Sequence, residues 1–445
     1  MAGGTWSAQN KVRPGVYINF KSESAVGFTV GTRGVVAICE PLSWGPEGQV
    51  TEVTAGMDTT PIIGYPLTAP QAKFLQQIFR GTNRTSGAAR VLLYRPIGSS
   101  SSQATATVEP LTATARYPGT RGNSITIVVT ALPDEEDSFQ VDTIVDAEVV
   151  DRQTAATVEQ LTPNDWVNWS GTGALAASAG TPLTGGSDGT VSSAGYAAFL
   201  TAIEPYRFDI LIYDGTDAAT LTAMSSFVKR MCEENGQHCQ LVASFSTAPD
   251  SRYIINVQSG LHLADGSTLS MQQACWWVGG AEAGAQSNQS LTYAAHPDAV
   301  APDPVLTGSQ VEAALSDGHL VFTADYDTVH IEQDINSLTT YTQEIGKVFR
   351  KNRVMRLCNA IANDIYQQFS SSYLGVINNN ETGRNLFKSA VVSYLLTLQG
   401  QEAIRNFSAD DVEVLAGEEI DSIVVNLAVQ AVDAIEKVYM TVTVS

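Results

Sequence analysis

Basic residues are scarce in this 445-residue chain: Lys and Arg number 25 against 46 Asp and Glu, a formal charge of −21. Duplex nucleic acid presents one negative charge per ~1.7 Å, so general nucleic-acid binding is excluded unless a local basic patch exists. Charge of either sign is thin, at 16% of residues against 44% apolar. A soluble protein usually carries roughly 25% charged residues. High apolar content excludes wholesale disorder and supplies large cores. Cysteine is also rare. Cys39, Cys232, Cys239, Cys275 and Cys358 are odd in number and widely scattered, which reads as reduced cytosolic thiols rather than a disulfide framework. No stretch approaches the ~18 apolar residues of a membrane span. Met1–Asn10 lacks the basic start and apolar run of a secretory signal. The expectation is a protein made and folded in a cytoplasm.

At roughly 100–200 residues per domain, about three domains are expected, in an α/β and all-β multidomain chain. Residues 1–30 read as an extended arm around Gly15-Val16-Tyr17-Ile18-Asn19-Phe20. Residues 31–97 begin an α/β domain: the buried-type strand Gly34–Cys39, a helix opened by Pro70 with Phe74, Leu75, Ile78 and Phe79, and the strand Val91–Tyr94. Residues 98–185 turn to Ser, Thr, Ala and Val without helical period, as expected of a β-sandwich insertion. The α/β pattern resumes over 186–329, with a strand at Asp209–Tyr213, a helix carrying Leu221, Met224, Val228 and Met231, and a strand at Cys239–Ala243. Residues 330–437 form an α+β portion, in which the spacing of Leu338, Tyr341, Ile345, Phe349, Leu357, Ile361 and Ile365 predicts one long helix from Asn336 to Phe369.

The segment 438–445 alternates cleanly, with Val438, Met440, Val442 and Val444 on one side and Tyr439, Thr441 and Thr443 on the other. Neither Lys nor Pro blunts it, although natural edge strands are usually protected by one or the other. It could pack inside its own domain. It could also be donated to a neighbour, backbone hydrogen bonds giving affinity and alternate side chains register. Unlike strands at the two ends, Gly15–Phe20 and Val438–Val444, imply a heterologous contact, which propagates a ring or helical filament.

Several catalytic patterns fail on their residues. His238, His262, His296, His319 and His330 lie in no Gly-x-Ser-x-Gly context. Cys232, His238 and Cys239 have no second ligand pair at a zinc spacing. Gly185-Gly186-Ser187-Asp188-Gly189 lacks the Lys-Ser/Thr end of a phosphate loop and reads as a flexible joint. The basic patch is local: Lys347, Arg350, Lys351, Arg353 and Arg356 face only Glu344 and Asp364 between Tyr341 and Ser371.

Four segments carry a family resemblance: Asn10–Phe20 (NKVRPGVYINF), Tyr117–Asn123 (YPGTRGN), Leu183–Gly189 (LTGGSDG) and Val432–Tyr439 (VDAIEKVY). In this order along the whole chain they resemble the tail sheath proteins of contractile phages and phage-tail-like bacteriocins, especially those of defective-prophage and Gram-positive-type particles. Ala431 stands where that pattern has Pro. The resemblance implies a structural subunit and no enzyme, cofactor or metal. It implies hexameric rings polymerised around an inner tube in a metastable extended state, contracting to drive the tube through a cell envelope. It further implies an α/β domain of subtilisin-like fold and an inner domain completed by the terminal arms of neighbouring subunits. The partners implied are further copies of the chain, a tail tube protein, and baseplate and terminator proteins, with no nucleic acid and no membrane insertion. The particle would be released from its bacterium by lysis. On this resemblance the stripe from Lys347 to Arg356 is expected to face an acidic tube through screened ion pairs, each worth only about 0–1 kcal/mol. The alternatives are an α/β-hydrolase-like enzyme with an unrecognised site, or a non-contractile filament or tube subunit.

Overall fold

The computed structural model describes residues 2–4, 15–17, 30–133, 137–326 and 328–443. Its contacts divide the chain into two compact units, one formed by residues 31–363 with 431–445, the other by 1–30 with 364–430. No helix among the described residues is long and apolar enough to cross a membrane.

The larger unit is organised by a seven-stranded sheet. Its order is His319–Leu320, Ile254–Val257, Gln240–Ala243, Ile210–Ile212, Val35–Cys39, Arg90–Tyr94 and Val50–Val53, with only the last antiparallel to its neighbour. Continuous apolar runs suit strands buried on both faces, and the residues divide accordingly. Val36, Ile38, Val91, Leu93, Ile210, Ile212 and Val242 enter one core. Ala37, Cys39, Leu92, Tyr94, Leu211, Leu241 and Ala243 enter the other.

The first core is covered by the helix Met271–Gly284, whose start is fixed by a reciprocal Ser270–Gln273 capping box. This helix lies very close to the helix Lys73–Arg80: a Cβ at Gly280 would stand 2.0 Å from the Ile78 carbonyl oxygen. Only glycine permits that approach. Trp277 is fully buried there, and its indole N–H donates to the Gly81 carbonyl at 2.7 Å. Helices Ser193–Ile203 and Ala218–Glu233 cover the opposite face, the second capped by Asp217 accepting from the Thr220 N–H.

Between the strands Arg90–Tyr94 and Ile210–Ile212 the chain builds two antiparallel sheets. One has the order Glu148–Ala155, Phe139–Val145, Ile125–Ala131, Ser178–Pro182, and the other Val167–Ser170, Leu111–Ala115, Thr105–Val108. Inward residues alternate with solvated ones along Leu111–Ala115 and Ile125–Ala131, as facing sheets require. Trp44, from the loop after Val35–Cys39, seals this core against Trp166, ring centroids 4.9 Å apart.

The smaller unit contains the helix Glu381–Gly400, capped by Asn380, and an antiparallel hairpin of Val412–Ala416 with Ile423–Leu427. Phe387 packs between Phe369 and Tyr373 at 5.5 and 5.1 Å. Ala2–Gly4 and Gly15–Tyr17 run parallel as a two-stranded pair.

Candidate functional site

The long helix expected from Asn336 begins only at Asn352 and runs to Ser372. Short polar side chains divert the preceding residues by bonding to backbone, the competition that disfavours them inside helices. Asn336 Nδ2 donates to the Phe349 carbonyl at 2.8 Å, and the Asn336 N–H to the Arg350 carbonyl at 3.0 Å. Ser337 Oγ donates to the Ser251 carbonyl, and the Thr339 and Thr340 N–H groups both donate to Asp250 Oδ1. The chain therefore doubles back, with Ile335 bridged antiparallel to Lys351 and a short 3-10 turn over Lys347–Arg350.

This geometry corrects the stripe expected from Lys347 to Arg356. Lys347 is exposed, whereas Arg350 and Lys351 are half-buried on a loop rather than a helix. Arg350 donates to the Leu315 carbonyl and to the Tyr341 hydroxyl. Arg353 is buried, and Arg356 is 1% exposed. The Arg356 guanidinium reaches Glu282 at 2.9 Å, Asp334 at 3.0 Å and the Gln289 carbonyl at 2.9 Å. Burial, followed by the nearby Asp334 carboxylate, pushes the Glu282 carboxyl well above its ordinary range. Arg356 is thus an internal ion-pair residue; its partners lie 74 and 22 residues away in sequence, beyond the reach of a helical-period reading.

The C-terminal segment is held most closely at Glu436. Glu436 Oε1 accepts from Thr292 Oγ1 at 2.8 Å; Oε2 accepts from Gln333 Nε2 at 2.9 Å and from Lys351 Nζ. Partial burial works against this carboxylate, but the bonds from Lys351, Gln333 and Thr292 outweigh it and hold its pKa below the ordinary value. Nothing local in the sequence marks Glu436, because its partners come from three distant segments.

Beyond it, residues 438–443 form no strand within this chain. Val438 and Tyr439 are 73% and 92% exposed, and Met440 and Val442 are comparably bare. An alternating sequence becomes a strand only when a ladder partner is present. Val444, Ile18, Asn19 and Phe20, also expected in terminal strands, lie outside the described residues, while Gly15, Val16 and Tyr17 pair with Ala2–Gly4. The hairpin Val412–Ala416/Ile423–Leu427 is a two-stranded sheet among the described residues and exposes Leu415, Val424 and Val425.

Three of the histidine rings bond amide or hydroxyl groups, while His262 is exposed. His296 bonds Gln77 at 2.8 Å, and burial pushes its pKa down to about 4. His319 bonds Asn256, and His330 bonds Thr323. The His238 backbone exchanges bonds with Asn363. Cys232 and Cys239 are buried free thiols. No group of three potential metal ligands occurs among the described residues. One acidic pair went unread in the sequence: Glu40 and Asp214 lie at the C-terminal ends of adjacent parallel strands, close enough for each to bear on the other's charge, and Trp276 Nε1 donates to Asp214 at 3.1 Å.

Four family models match successive segments. They describe the tail sheath protein Gp18 domain III N-terminal region (33–95) and the phage tail sheath protein beta-sandwich domain (99–188). The phage tail sheath protein central domain (189–337) and the phage tail sheath C-terminal domain (344–445) follow. The phage-like element PBSX protein XkdK of Bacillus subtilis is 34% identical, the alignment covering 100% of both chains. The crystal structure of the sheath tail protein from Desulfitobacterium hafniense superposes with a TM-score of 0.86 at 40% identity, covering 96% of this chain and 99% of that one. The helical sheath of the anti-feeding prophage, solved in its contracted state, shares the fold with a TM-score of 0.59 at 14% identity over 97% and 99% of the two chains. The chain is a member of the phage tail sheath protein family, a structural protein and not an enzyme.

Proposed function

We propose that this chain is the repeating subunit of a contractile sheath, polymerising as hexameric rings around an inner tail tube and shortening on a signal from the baseplate. The observation that carries the reading is the segment 438–443. Its alternating apolar residues are exposed in the single chain and have no ladder partner among the described residues. A neighbour that offers a sheet edge would pair its backbone and cover Val438, Met440 and Val442. Family membership supports the same conclusion. The arms 1–30 and 438–445 would link copies while the α/β portions, 31–97 with 186–329, and the β portion 98–185 move as the outer wall. Residues 330–437 would then face the tube, a protein with acidic outer surface.

Of the stripe from Lys347 to Arg356, Lys347 is the exposed cation this face would offer, since Arg350 is engaged by Leu315 and Tyr341, Lys351 by Glu436, and Arg353 and Arg356 are buried. Energy would be stored at assembly and retained by the barrier between extended and contracted lattices. The further partners are the baseplate and terminator proteins, and the particle would leave the producing bacterium by lysis. Deleting residues 438–445 tests the reading. The truncated chain is expected to keep the Tm of the full chain in scanning calorimetry and to sediment as a monomer under conditions where the full chain forms polymer. Normal polymer from the truncated chain would overturn it.

A further inference from the structure

Glu436 is an exception within its surroundings. Ile435 before it is 89% exposed and Val438 beyond it 73%, yet the Glu436 side chain is only 13% exposed. Val432 and Ala434 upstream are half-buried, and Glu436 is the last side chain of the segment that the surroundings cover.

The receptor for that carboxylate is assembled from fixed parts. Thr292 Oγ1 donates to Glu436 and itself accepts from the Asp334 N–H at 3.0 Å. The Asp334 carboxylate is tied to Arg356 and to the Leu291 N–H at 2.9 Å, within the buried ion-pair cluster. Lys351 is fixed by its bridge to Ile335, and the next residue, Asn352, donates its N–H to the Asp334 carbonyl. Gln333 adjoins Asp334 and closes the third side. Thr292 and Lys351 are thus placed by backbone that is itself hydrogen-bonded, the preorganisation that strengthens a charge-assisted hydrogen bond. The surrounding groove, about 850 Å³, also brings Lys347, Arg350 and Lys437 near the same carboxylate, and Glu312 and Glu332 line its acidic side.

We propose that Thr292, Gln333 and Lys351 form an anchor for Glu436 that fixes the root of the C-terminal segment, so that residues 438–445 leave the larger unit in one direction and are presented to a neighbouring copy already aimed. The presentation role rests on the reading given above; the anchor itself does not. A free segment would sample many directions, and pairing would carry the full entropy of orienting it. An anchored root removes part of that cost before the neighbour arrives.

Trypsin cleavage after Lys437 reads the anchor directly in the full-length monomer, because the protease must draw the flanking residues into an extended conformation. Lys351→Met and Thr292→Val leave the sequence around the scissile bond unchanged. Each is expected to raise the cleavage rate by roughly tenfold, the factor for losing one charge-assisted hydrogen bond; Lys351→Met leaves the Tm of the rest of the chain unchanged, whereas Thr292→Val also orphans the Asp334 N–H and lowers it. The exchange Lys351→Glu with Glu436→Lys is expected to restore protection at Glu436 as seen by a second protease that cleaves after Tyr439. Unchanged cleavage in both single variants would overturn the anchor. Faster cleavage with an unchanged rate of tube-free polymerisation would overturn the presentation role. Faster cleavage with slower polymerisation supports both. Normal assembly after deletion of 438–445 would defeat the sheath-arm reading while leaving the cleavage result intact, so the two failures are distinguishable.

Discussion

The seven-stranded sheet and the C-terminal segment use the same kind of residue to opposite ends. In Val35–Cys39 alternate side chains enter two cores, and the backbone pairs with Ile210–Ile212 on one side and Arg90–Tyr94 on the other. In residues 438–443 the alternation is equally regular, but the apolar side chains stand in water and no ladder forms among the described residues. The sheet is paired within one polypeptide; the segment has no ladder partner among the described residues. Local composition therefore describes a strand in both places, and only the availability of a partner separates them.

The largest effect that would sharpen the contrast is in the interior. Arg356→Ala leaves Glu282 and Asp334 buried without their cation, and breaking a buried pair from one side typically costs about 3–5 kcal/mol. Denaturant unfolding of the monomer should show that loss. A change within the range of surface substitutions would mean that the region around Arg356 is as open as the tail.

A smaller effect depends on pH. Burial, then mutual repulsion with Asp214, raises the Glu40 carboxyl well above its ordinary 4.5, and burial raises Asp214 as well. For an acid whose folded pKa is raised, the stabilising contribution is complete below the unfolded pKa and is lost as pH rises through the folded value. Glu40→Gln keeps a neutral partner for Asp214 at every pH. Its Tm advantage over the parent should therefore be absent near pH 4 and grow as pH increases. A difference that does not change with pH would contradict the assignment. Glu436 carries the opposite sign: its lowered pKa means that its anchoring is present above the ordinary carboxylate value and is lost only on acidification through the folded one.

The smallest effect on stability belongs to the open hairpin. Val425→Ser should change monomer stability by no more than about 0.5 kcal/mol, the range of exposed positions, while reducing polymer yield in a sedimentation assay. A large loss of monomer stability would place Val425 in a finished core instead.

The sequence was legible where structure is local. The apolar runs at Val35–Cys39, Val91–Tyr94 and Ile210–Ile212 are strands, and Leu221, Met224, Val228 and Met231 are the buried face of Ala218–Glu233. Residues 336–346 were misread because Leu338, Tyr341 and Ile345 keep a helical spacing, while the bonds that decide their path come from Asn336, Ser337 and Asp250. Periodicity also placed Arg356 on a surface stripe, whereas two distant carboxylates draw it inside. The Glu436 receptor was invisible for the same reason: Thr292 stands 144 residues away. Sequence patterns report what a residue does to its neighbours in the chain and are silent about partners brought by the fold.

The most direct measurement is a helical reconstruction of the assembled polymer by electron cryomicroscopy at a resolution that traces main chain. The account predicts that residues 438–444 of each copy run as a strand hydrogen-bonded to a strand of a different copy, with Val438, Met440 and Val442 covered. Finding that segment paired to its own copy, or unpaired throughout the polymer, would contradict it.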